Sequence, residues 1–367
     1  MAIPNHRSVT LGIELEAYTI RVPEYRIGRE MAFPRRGAAE RGERFARDST
    51  IGTEYNSRPF STIREGLFAL HAGLRKYGRT RYRHRSQPHR GHEILLVGGW
   101  RDRYAGAHIH LALADRELDK PLAARLAWHL HDHIPFLIAL GANSPVWQDE
   151  LTDRASNRVA RASSKYFRPL KRVELFQRSY DEMLWSRARN LKPATLEIRV
   201  LDSNLPEFVL MGACVVKAVA LNWLARRPAA NRVRASDYLK SRKAAAERGT
   251  RAELCWNGEW VSVPRYLDKF VWEHRDVLDE MDIPEEVWIP FKLLKRRING
   301  ATLLGAAAAA SQAEQPRAWQ RAFARRYVAA IGELLAGNTL VDFADQLGVG
   351  LPDLERVWLG RRNLDLA

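Results

Sequence analysis

Four extended segments of this chain each carry two polar side chains two positions apart, with an acid or a histidine in every pair. The pairs are Glu14 with Glu16, Glu54 with Asn56, His108 with His110, and Glu197 with Arg199. Because successive side chains of a β-strand point to opposite faces, each pair lies on one face of its strand. Carboxylates in an apolar strand such as GIELE are costly to bury unless a cation neutralises them. The pattern favours a sheet with one charged face.

The order of elements predicts a mixed α+β fold. Extended segments are expected over residues 8–20, 51–60, 107–113 and 194–201, and Asn257-Gly258 predicts a hairpin turn within residues 254–263. Helices are expected over residues 121–140 and from Pro206 to about Arg227. Strands and helices do not alternate regularly, so a repeating βαβ unit is not predicted.

Composition excludes a disordered acidic tail and a small disulfide-linked module. The 367 residues are 46% apolar and carry 59 basic against 43 acidic side chains, a net charge of +16. Only Cys214 and Cys255 are present, and both are expected to be unreactive. We therefore expect a reducing, cytoplasmic location, with neither a signal peptide nor a membrane-spanning segment.

The charged face suits a divalent cation. Glutamates combined with an imidazole are the ligands of Mg²⁺ or Mn²⁺, ions that also hold nucleotide phosphates. Each pair taken singly has another explanation, because polar residues commonly line the solvated face of an antiparallel strand.

Five segments in order resemble the carboxylate-amine ligases of the glutamate-cysteine ligase type 2 family. They are GIELEAY (12–18), GAHIHLAL (106–113), LIALGANSPVW (137–147), RASNRVARASSKYFRP (154–169) and PATLEIRVLDSN (193–204). Residues 246–306 are similar to the helical C-terminal part of that family, so the resemblance extends to about residue 330.

The resemblance implies a glutamine synthetase-like fold, with helices on the outer face of a curved antiparallel sheet and metal ions and ATP on its concave face. It also implies an ATP- and Mg²⁺-dependent ligase, with Mn²⁺ as a substitute ion. Such an enzyme joins a small-molecule carboxylate to an amine through an acyl phosphate. A kinase of the phosphagen type on the same fold is an alternative, and it would stop at a phosphorylated product.

Site residues follow from matching the motifs position by position. The resemblance implies one ion held by Glu14 and Glu54, and a second held by Glu16, His108 and Glu197. Arg199 would contact the transferred phosphoryl group and, with Glu54, act in catalysis. ATP or substrate would contact Asn56, His110, Arg158, Arg187 and Arg199, although surface ion pairs are an equal alternative for Arg158 and Arg187.

The sequence departs from the family pattern at three points. Leu15 stands between the first two acids where many members carry a third glutamate. A further acid expected near the second strand is either Asp48 or missing. The segment EYNSRPF (54–60) is closer to the broader amidoligase group, so the identity of the carboxylate and of the amine stays open.

The predicted organisation is a catalytic domain over residues 1–305, a linker at 306–317 and a helical extension at 318–367. The low-complexity run at 306–316 is alternatively a frayed helix end. Residues 339–362 also fit a helix-turn-helix pattern, and residues 75–90 hold a basic cluster that becomes a row of arginines if 79–85 is extended. A nucleic-acid-binding protein is therefore an alternative. Acids at the would-be reading helix, Asp353 and Glu355, argue against it, so no nucleic-acid partner is expected. We expect a homo-oligomer.

Three histidines at positions 129, 131 and 133 have a spacing that can bind zinc on a helix. No glutamate of an HExxH motif lies between them. We interpret them as a polar stripe on a surface helix that is kinked at Pro135.

Overall fold

The computed structural model describes residues 5–29, 43–46, 51, 53–79, 91–161, 176, 182–189, 192–357 and 359. Its strands are β1 Val9–Val22, β2 Arg26–Gly28, β3 Arg44–Ala46, β4 Thr53–Asn56, β5 Gly91–Leu95, β6 Gly106–Leu113, β7 Val146–Trp147, β8 Glu150–Leu151, β9 Met183–Ser186, β10 Thr195–Asp202, β11 Glu253–Trp256 and β12 Glu259–Ser262. Its helices are α1 Ile63–Arg79, α2 Lys120–His131, α3 Ile134–Gly141, α4 Asn157–Arg161, α5 Pro206–Leu224, α6 Ala235–Arg248, α7 Val263–Glu280, α8 Glu285–Lys295, α9 Gly300–Glu314, α10 Trp319–Ala336 and α11 Leu340–Gln346.

The main sheet is antiparallel and is organised around the long strand β1. Its strand order is β3-β4-β1-β6-β10-β9, and β2 and β5 pair with the second half of β1. Apolar side chains on one face of β1, from Val9 to Leu15, alternate with half-buried ones on the other face. This alternation confirms the predicted strands and leaves one face of the sheet for polar side chains.

Helix α5 lies at the centre of the core. It packs on α1, α2, α3, α7, α8 and β1, and nearly all of its residues are buried. Its length and composition are those of a membrane-spanning helix, but 89% of its apolar window is buried inside the protein. The helix is therefore accounted for as a core helix.

The helix predicted over residues 121–140 forms as two helices, α2 and α3, that are interrupted at Asp132 and His133. The interpretation of the three histidines as a surface stripe is wrong for two of them, because His131 and His133 are buried. His131 Nδ1 forms a hydrogen bond with Asp132 Oδ1 at 2.7 Å, and Nδ1 of His133 lies 3.0 Å from the Tyr266 hydroxyl. Both histidines are therefore hydrogen-bonded residues of the core.

The C-terminal helices pack on the same core as the sheet. Helix α9 runs through most of the predicted linker, and its Ala307 and Ala308 are buried, so the linker prediction is wrong over residues 306–314. Alanine has the highest helix propensity, which explains why this low-complexity run is helical. In α10, Phe323 stacks on Trp100 at 4.9 Å, and the Tyr327 hydroxyl accepts a hydrogen bond from the Leu96 amide.

The predicted helix-turn-helix is wrong in its second helix. Helix α11 begins at a capping box formed by Thr339 and Asp342, but residues 351–357 are not helical. Pro352 and the glycines at 348 and 350 explain the break. The predicted row of arginines, residues 80–90, lies outside the described residues. The hairpin at Asn257-Gly258 is confirmed, since it joins β11 to β12.

Candidate active site

Strand register brings the predicted polar pairs onto one face of the sheet. On β1 and β6, Glu14 is directly opposite His108, and Gly12 is opposite His110. On β10, Glu197 is opposite His110. Directly opposed residues in an antiparallel pair project to the same side. The same alternation places the three pairs of β1, β6 and β10 side by side.

Strand β4 adds the fourth pair on the other side of β1. Glu14 is opposite Asn56, and Glu16 is opposite Glu54. The Asn56 side-chain amide donates to Glu54 Oε1 at 2.5 Å, which orients that carboxylate. We call the resulting surface the acidic face, and its residues are Glu14, Glu16, Glu54, Asn56, His108, His110 and Glu197.

Three side chains of the acidic face fit a divalent cation. Glu14, His110 and Glu197 each offer a ligand atom, and these atoms lie within 4.8 Å of one another. His110 Nε2 is 3.1 Å from Glu14 Oε2. The ring of His108 lies beside them, with Nδ1 3.3 Å from Glu197 Oε1, and that buried nitrogen makes no hydrogen bond among the described residues. Two carboxylates and an imidazole are a donor set for Mg²⁺ or Mn²⁺.

The grouping of ligands differs from the one implied by the sequence. Glu14, rather than Glu16, lies next to His108 and Glu197, at 3.8 Å from His108 Nδ1. The Glu16 carboxylate instead accepts a hydrogen bond from the Gly106 amide at 2.5 Å. Glu14 is therefore the central acid of the face, between Glu54 and the histidines.

Close packing of like charges shifts the pKa values of the acids on this face. Burial opposes ionisation of Glu14, but the adjacent imidazoles of His108 and His110 hold its pKa well below the usual range. Burial, followed by repulsion from Glu14, raises the pKa of Glu54 to about 7. Burial lowers and the surrounding carboxylates raise the pKa of His108, with a net upward shift. A bound cation would relieve the repulsion that Glu54 experiences.

Arg199 reaches the acidic face from a β-bulge. The register of β10 against β6 shifts between Ile198 and Leu201, while the Arg199 amide donates to the Glu182 carbonyl and so continues the pairing of β10 with β9. Its guanidinium Nε lies 3.6 Å from Glu197 Oε1, and the side chain is 21% exposed. Because a bulge re-aims the side chains beside it, Arg199 is directed over the cluster.

Arg158 supports the bulge at Arg199. This buried side chain of α4 donates to the carbonyls of Arg199 at 2.9 Å and Leu201 at 3.1 Å. Because Arg158 is buried, the surface ion pair considered for it is wrong, and its two hydrogen bonds hold the strand beside Arg199. Arg187 is exposed just after β9. Asp48 and residues 162–169 of the fourth motif lie outside the described residues.

Asp202 is a residue that the sequence analysis missed. Its buried carboxylate accepts hydrogen bonds from the Asn143 amide and the Ser144 hydroxyl, both at 2.8 Å, and from the Ser156 hydroxyl at 3.0 Å. Burial raises its pKa in spite of these donors and the nearby Arg158. The segments GANS, ASNR and LDSN are rich in small polar residues, which is the sequence feature that could have indicated a buried polar network. The three segments come into contact at Asp202.

A cavity of about 330 Å³ adjoins the acidic face at the N-terminal end of β1. Small residues form its floor because the period-two pattern continues as Thr10 and Gly12 on β1 and as Ala112 on β6. Its walls include Pro59 and Pro193. We call it the small-residue cavity, and its lining is Thr10, Leu11, Gly12, Ile13, Glu43, Arg44, Asn56, Ser57, Pro59, His110, Ala112, Lys192, Pro193 and Thr195.

Residues 37–164 match the model of glutamate-cysteine ligase family 2. The chain resembles this family. The matched range includes the histidines of β6 and the GANS segment. The acids of β1 and β10 lie outside this range, and the pairing of their strands with β6 brings them next to it. A search among curated proteins found no significant match.

Solved ligases share the fold. The ligase PafA in complex with the prokaryotic ubiquitin-like protein Pup superposes with a TM-score of 0.58 at 12% identity, over 94% of this chain and 81% of that one. A glutamate-cysteine ligase from Francisella tularensis in complex with AMP gives 0.54 at 13%, over 93% and 92%. A bifunctional glutathione synthetase from Pasteurella multocida gives 0.57 at 11%, over 90% of this chain and 53% of that one. The predicted α+β fold class, with helices packed on an antiparallel sheet, is confirmed.

Proposed function

We propose that this protein is an ATP-dependent ligase that joins a carboxylate to an amine through an acyl phosphate. The observation that carries the proposal is the cluster of Glu14, His110 and Glu197, with Arg199 directed over it. This cluster lies on the acidic face of a fold shared with solved ligases. The family match and the ATP-derived nucleotide bound by one of those ligases support it.

The acidic face would hold Mg²⁺, with Mn²⁺ as a substitute. Glu14 and Glu197 supply carboxylates, and His110 or His108 supplies the imidazole nitrogen. Bound Mg²⁺ would neutralise the ATP phosphates, which is the main requirement of phosphoryl transfer. Glu16 and Glu54, which face each other across β1 and β4, are the candidate ligands of a second ion.

Arg199 would stabilise the charge that develops on the transferred phosphoryl group. Its guanidinium is fixed by the bulge and by Glu197, and a planar fork of donors matches the phosphoryl oxygens better than an ammonium does. By analogy with other preorganised donors, its loss should cost about 3–4 kcal/mol of transition-state stabilisation.

The small-residue cavity is suited to the base of ATP. It adjoins the ligand atoms of His110, its walls include two prolines, and its floor lacks large side chains. A flat apolar group can occupy such a space while the phosphates extend toward Glu14 and Glu197. Lys192 and Arg44 at its rim would attract an anionic ligand.

The decisive experiment follows oxygen atoms. The protein is incubated with ATP, Mg²⁺, pooled amines and carboxylic acids labelled with ¹⁸O in the carboxyl group. In an acyl-phosphate reaction, the carboxylate oxygen attacks the γ-phosphorus and ADP leaves. The amine then displaces phosphate, so one ¹⁸O appears in inorganic phosphate and an amide forms. Phosphate release without ¹⁸O would exclude this route.

Variants connect the reaction to the acidic face. Glu197→Gln should abolish amide formation, and Arg199→Ala should lower kcat by about 100- to 1000-fold. Arg275→Ala, an exposed arginine of α7, removes the same charge elsewhere and should leave turnover unchanged. ADP release without free phosphate would indicate the phosphagen-type kinase instead.

The position of the base is tested separately at Gly12. A Cβ at this position would meet only the His110 Cβ, at an ordinary 3.9 Å, so Gly12→Val should fold normally while occupying the cavity. The KM for ATP should rise by about tenfold or more, with little change in the KM of the carboxylate or the amine. A rise confined to the KM of the carboxylate would assign the cavity to that substrate.

A further inference from the structure

A second and larger cavity lies away from the acidic face. It measures about 650 Å³ and is enclosed by the turn between β1 and β2, by the loop after β5, and by the start of α10. We call it the arginine pocket. Its lining is Glu24, Tyr25, Arg26, Ile27, Arg101, Pro316, Arg317, Ala318, Trp319, Gln320 and Arg321. None of these residues belongs to the acidic face or to the small-residue cavity.

The arginine pocket concentrates positive charge. Four arginines line it against the single acid Glu24 among its described lining residues. Arg101 has a neighbouring carboxylate, since its Nε lies 3.6 Å from Asp149 Oδ1. The other three, Arg26, Arg317 and Arg321, form no ion pair within the part of the chain that the structure describes. Arginines that line one pocket repel one another, and a multivalent anion would relieve that repulsion.

The backbone around the pocket adds to this field. Helix α10 is 18 residues long, and no side chain caps its start at Ala318. Its first-turn amides and its dipole therefore favour negative charge on the side where Arg317 and Arg321 lie. One turn further along, the guanidinium of Arg325 lies 5.3 Å from the ring centroid of Tyr25, which connects α10 to the β1–β2 turn across the pocket.

The pocket is also connected to the strand that carries the acids. The backbone amide of Arg101 donates to the Tyr18 hydroxyl at 3.2 Å, and Tyr18 donates to the Arg103 carbonyl at 2.5 Å. Tyr18 follows Glu16 by two positions on β1. The loop that contributes Arg101 is therefore fixed to the central strand, which gives the pocket a preformed wall.

We propose that the arginine pocket binds a small-molecule anion carrying several phosphate or carboxylate groups, at a site distinct from the acidic face. Its volume exceeds that of a single phosphate, and its four arginines match a ligand with at least two anionic groups. The acidic face carries mainly negative side chains, so it would hold an anion only together with a cation.

The test uses inorganic tripolyphosphate and isothermal titration calorimetry. The full chain is freed of metal ions by passage over a chelating resin and is titrated at 0.15 M NaCl without divalent cations, so that no cation brings the probe to the acidic face. EDTA is omitted because it is itself a polycarboxylate that would compete for the pocket. One saturable site per chain is expected. Arg317→Ala with Arg321→Ala should weaken it by about tenfold or more, because two charge-assisted contacts are lost. Absence of saturable binding would overturn the proposal.

A matched control separates a built site from overall charge. Arg234→Ala with Arg251→Ala removes two exposed arginines that lie outside the pocket and should leave the affinity within about twofold. Equal weakening by the two double variants would refute the site. Glu14→Gln should not affect binding in the metal-free titration. A parallel titration with citrate identifies the ligand class: binding of tripolyphosphate alone supports a phosphorylated ligand, and binding of both supports a general polyanion.

Discussion

Gly106→Ala is the substitution that most directly tests how the site is held together. Gly106 begins β6, and a Cβ there would lie 2.5 Å from Arg158 Nη2 and 2.9 Å from His108 Nε2. Real Cβ atoms do not approach other atoms so closely, so one side chain must move. The available movements displace either a proposed metal-site histidine or the arginine that supports the bulge at Arg199.

The size of the effect follows from those contacts. Inserting one methyl group into a packed site costs about 1–3 kcal/mol. If Arg158 also releases one of its two carbonyl partners, the charged hydrogen bond that is lost adds about 1.5–3 kcal/mol. Arg199 would then shift with the bulge, and a misplacement of about 1 Å lowers kcat by about 100-fold.

Urea unfolding, Mn²⁺ titration and the ligase assay measure these consequences. Two glycines serve as controls. Gly12→Ala has only a 3.9 Å contact and should leave stability nearly unchanged, and Gly332→Ala, exposed in α10, should raise stability by about 0.5–1 kcal/mol with unchanged turnover. If Gly106→Ala were as stable as Gly12→Ala and retained full turnover, the proposed support of the bulge by Arg158 would be wrong.

Two further predictions concern buried charges. Glu54→Gln removes one of the repelling acids, so in EDTA at pH 8 it should raise the free energy of unfolding. The same substitution should weaken Mn²⁺ binding. If it stabilised the protein and also strengthened Mn²⁺ binding, or weakened both, a cation would not be what balances the charge of this face. Lys217 donates to the Val9 and Ser61 carbonyls, and burial lowers its pKa from 10.5 to about 8. Between pH 8 and 10.5 the unfolded chain therefore binds more protons than the folded one, and stability rises with pH by about 3 kcal/mol. The free energy of unfolding of the wild-type protein and of Lys217→Met is measured in urea at pH 7.5 and at pH 10. It should rise between the two pH values more in the wild-type protein than in the variant, and an equal change in both would refute the prediction.

The sequence was sufficient to predict which face of each strand carries the acids. Alternation specifies a face independently of tertiary contacts, and the strands around Glu14, Glu54, His108 and Glu197 formed as expected. Alternation does not specify which residues of neighbouring strands are opposite one another. That depends on register, and the register placed Glu14 rather than Glu16 beside His108.

Burial of polar residues was the other feature that the sequence left open. His131 and His133 follow a spacing that suits a solvent-exposed stripe, yet both are buried at the break where α2 ends at His131 and α3 begins at Ile134. Asp202 gave no periodic signal because its partners come from segments about 60 and 46 positions away in the chain. Low complexity left the run at 306–314 open between a linker and a helix end, and the helix propensity of alanine explains why it is helical.

The motifs that do not face the site explain how the acidic face keeps its geometry. Asp202 ends β10 and is fixed by Ser144 and Ser156, while Arg158, from the same helix turn as Ser156, holds the two carbonyls on either side of the bulge. The bulge in turn directs Arg199 toward Glu197. A cationic donor must be fixed in advance to stabilise developing charge, and the buried network supplies that rigidity. The segments GANS, ASNR and LDSN are therefore as necessary to the proposed chemistry as the acids, although they do not need to contact a substrate.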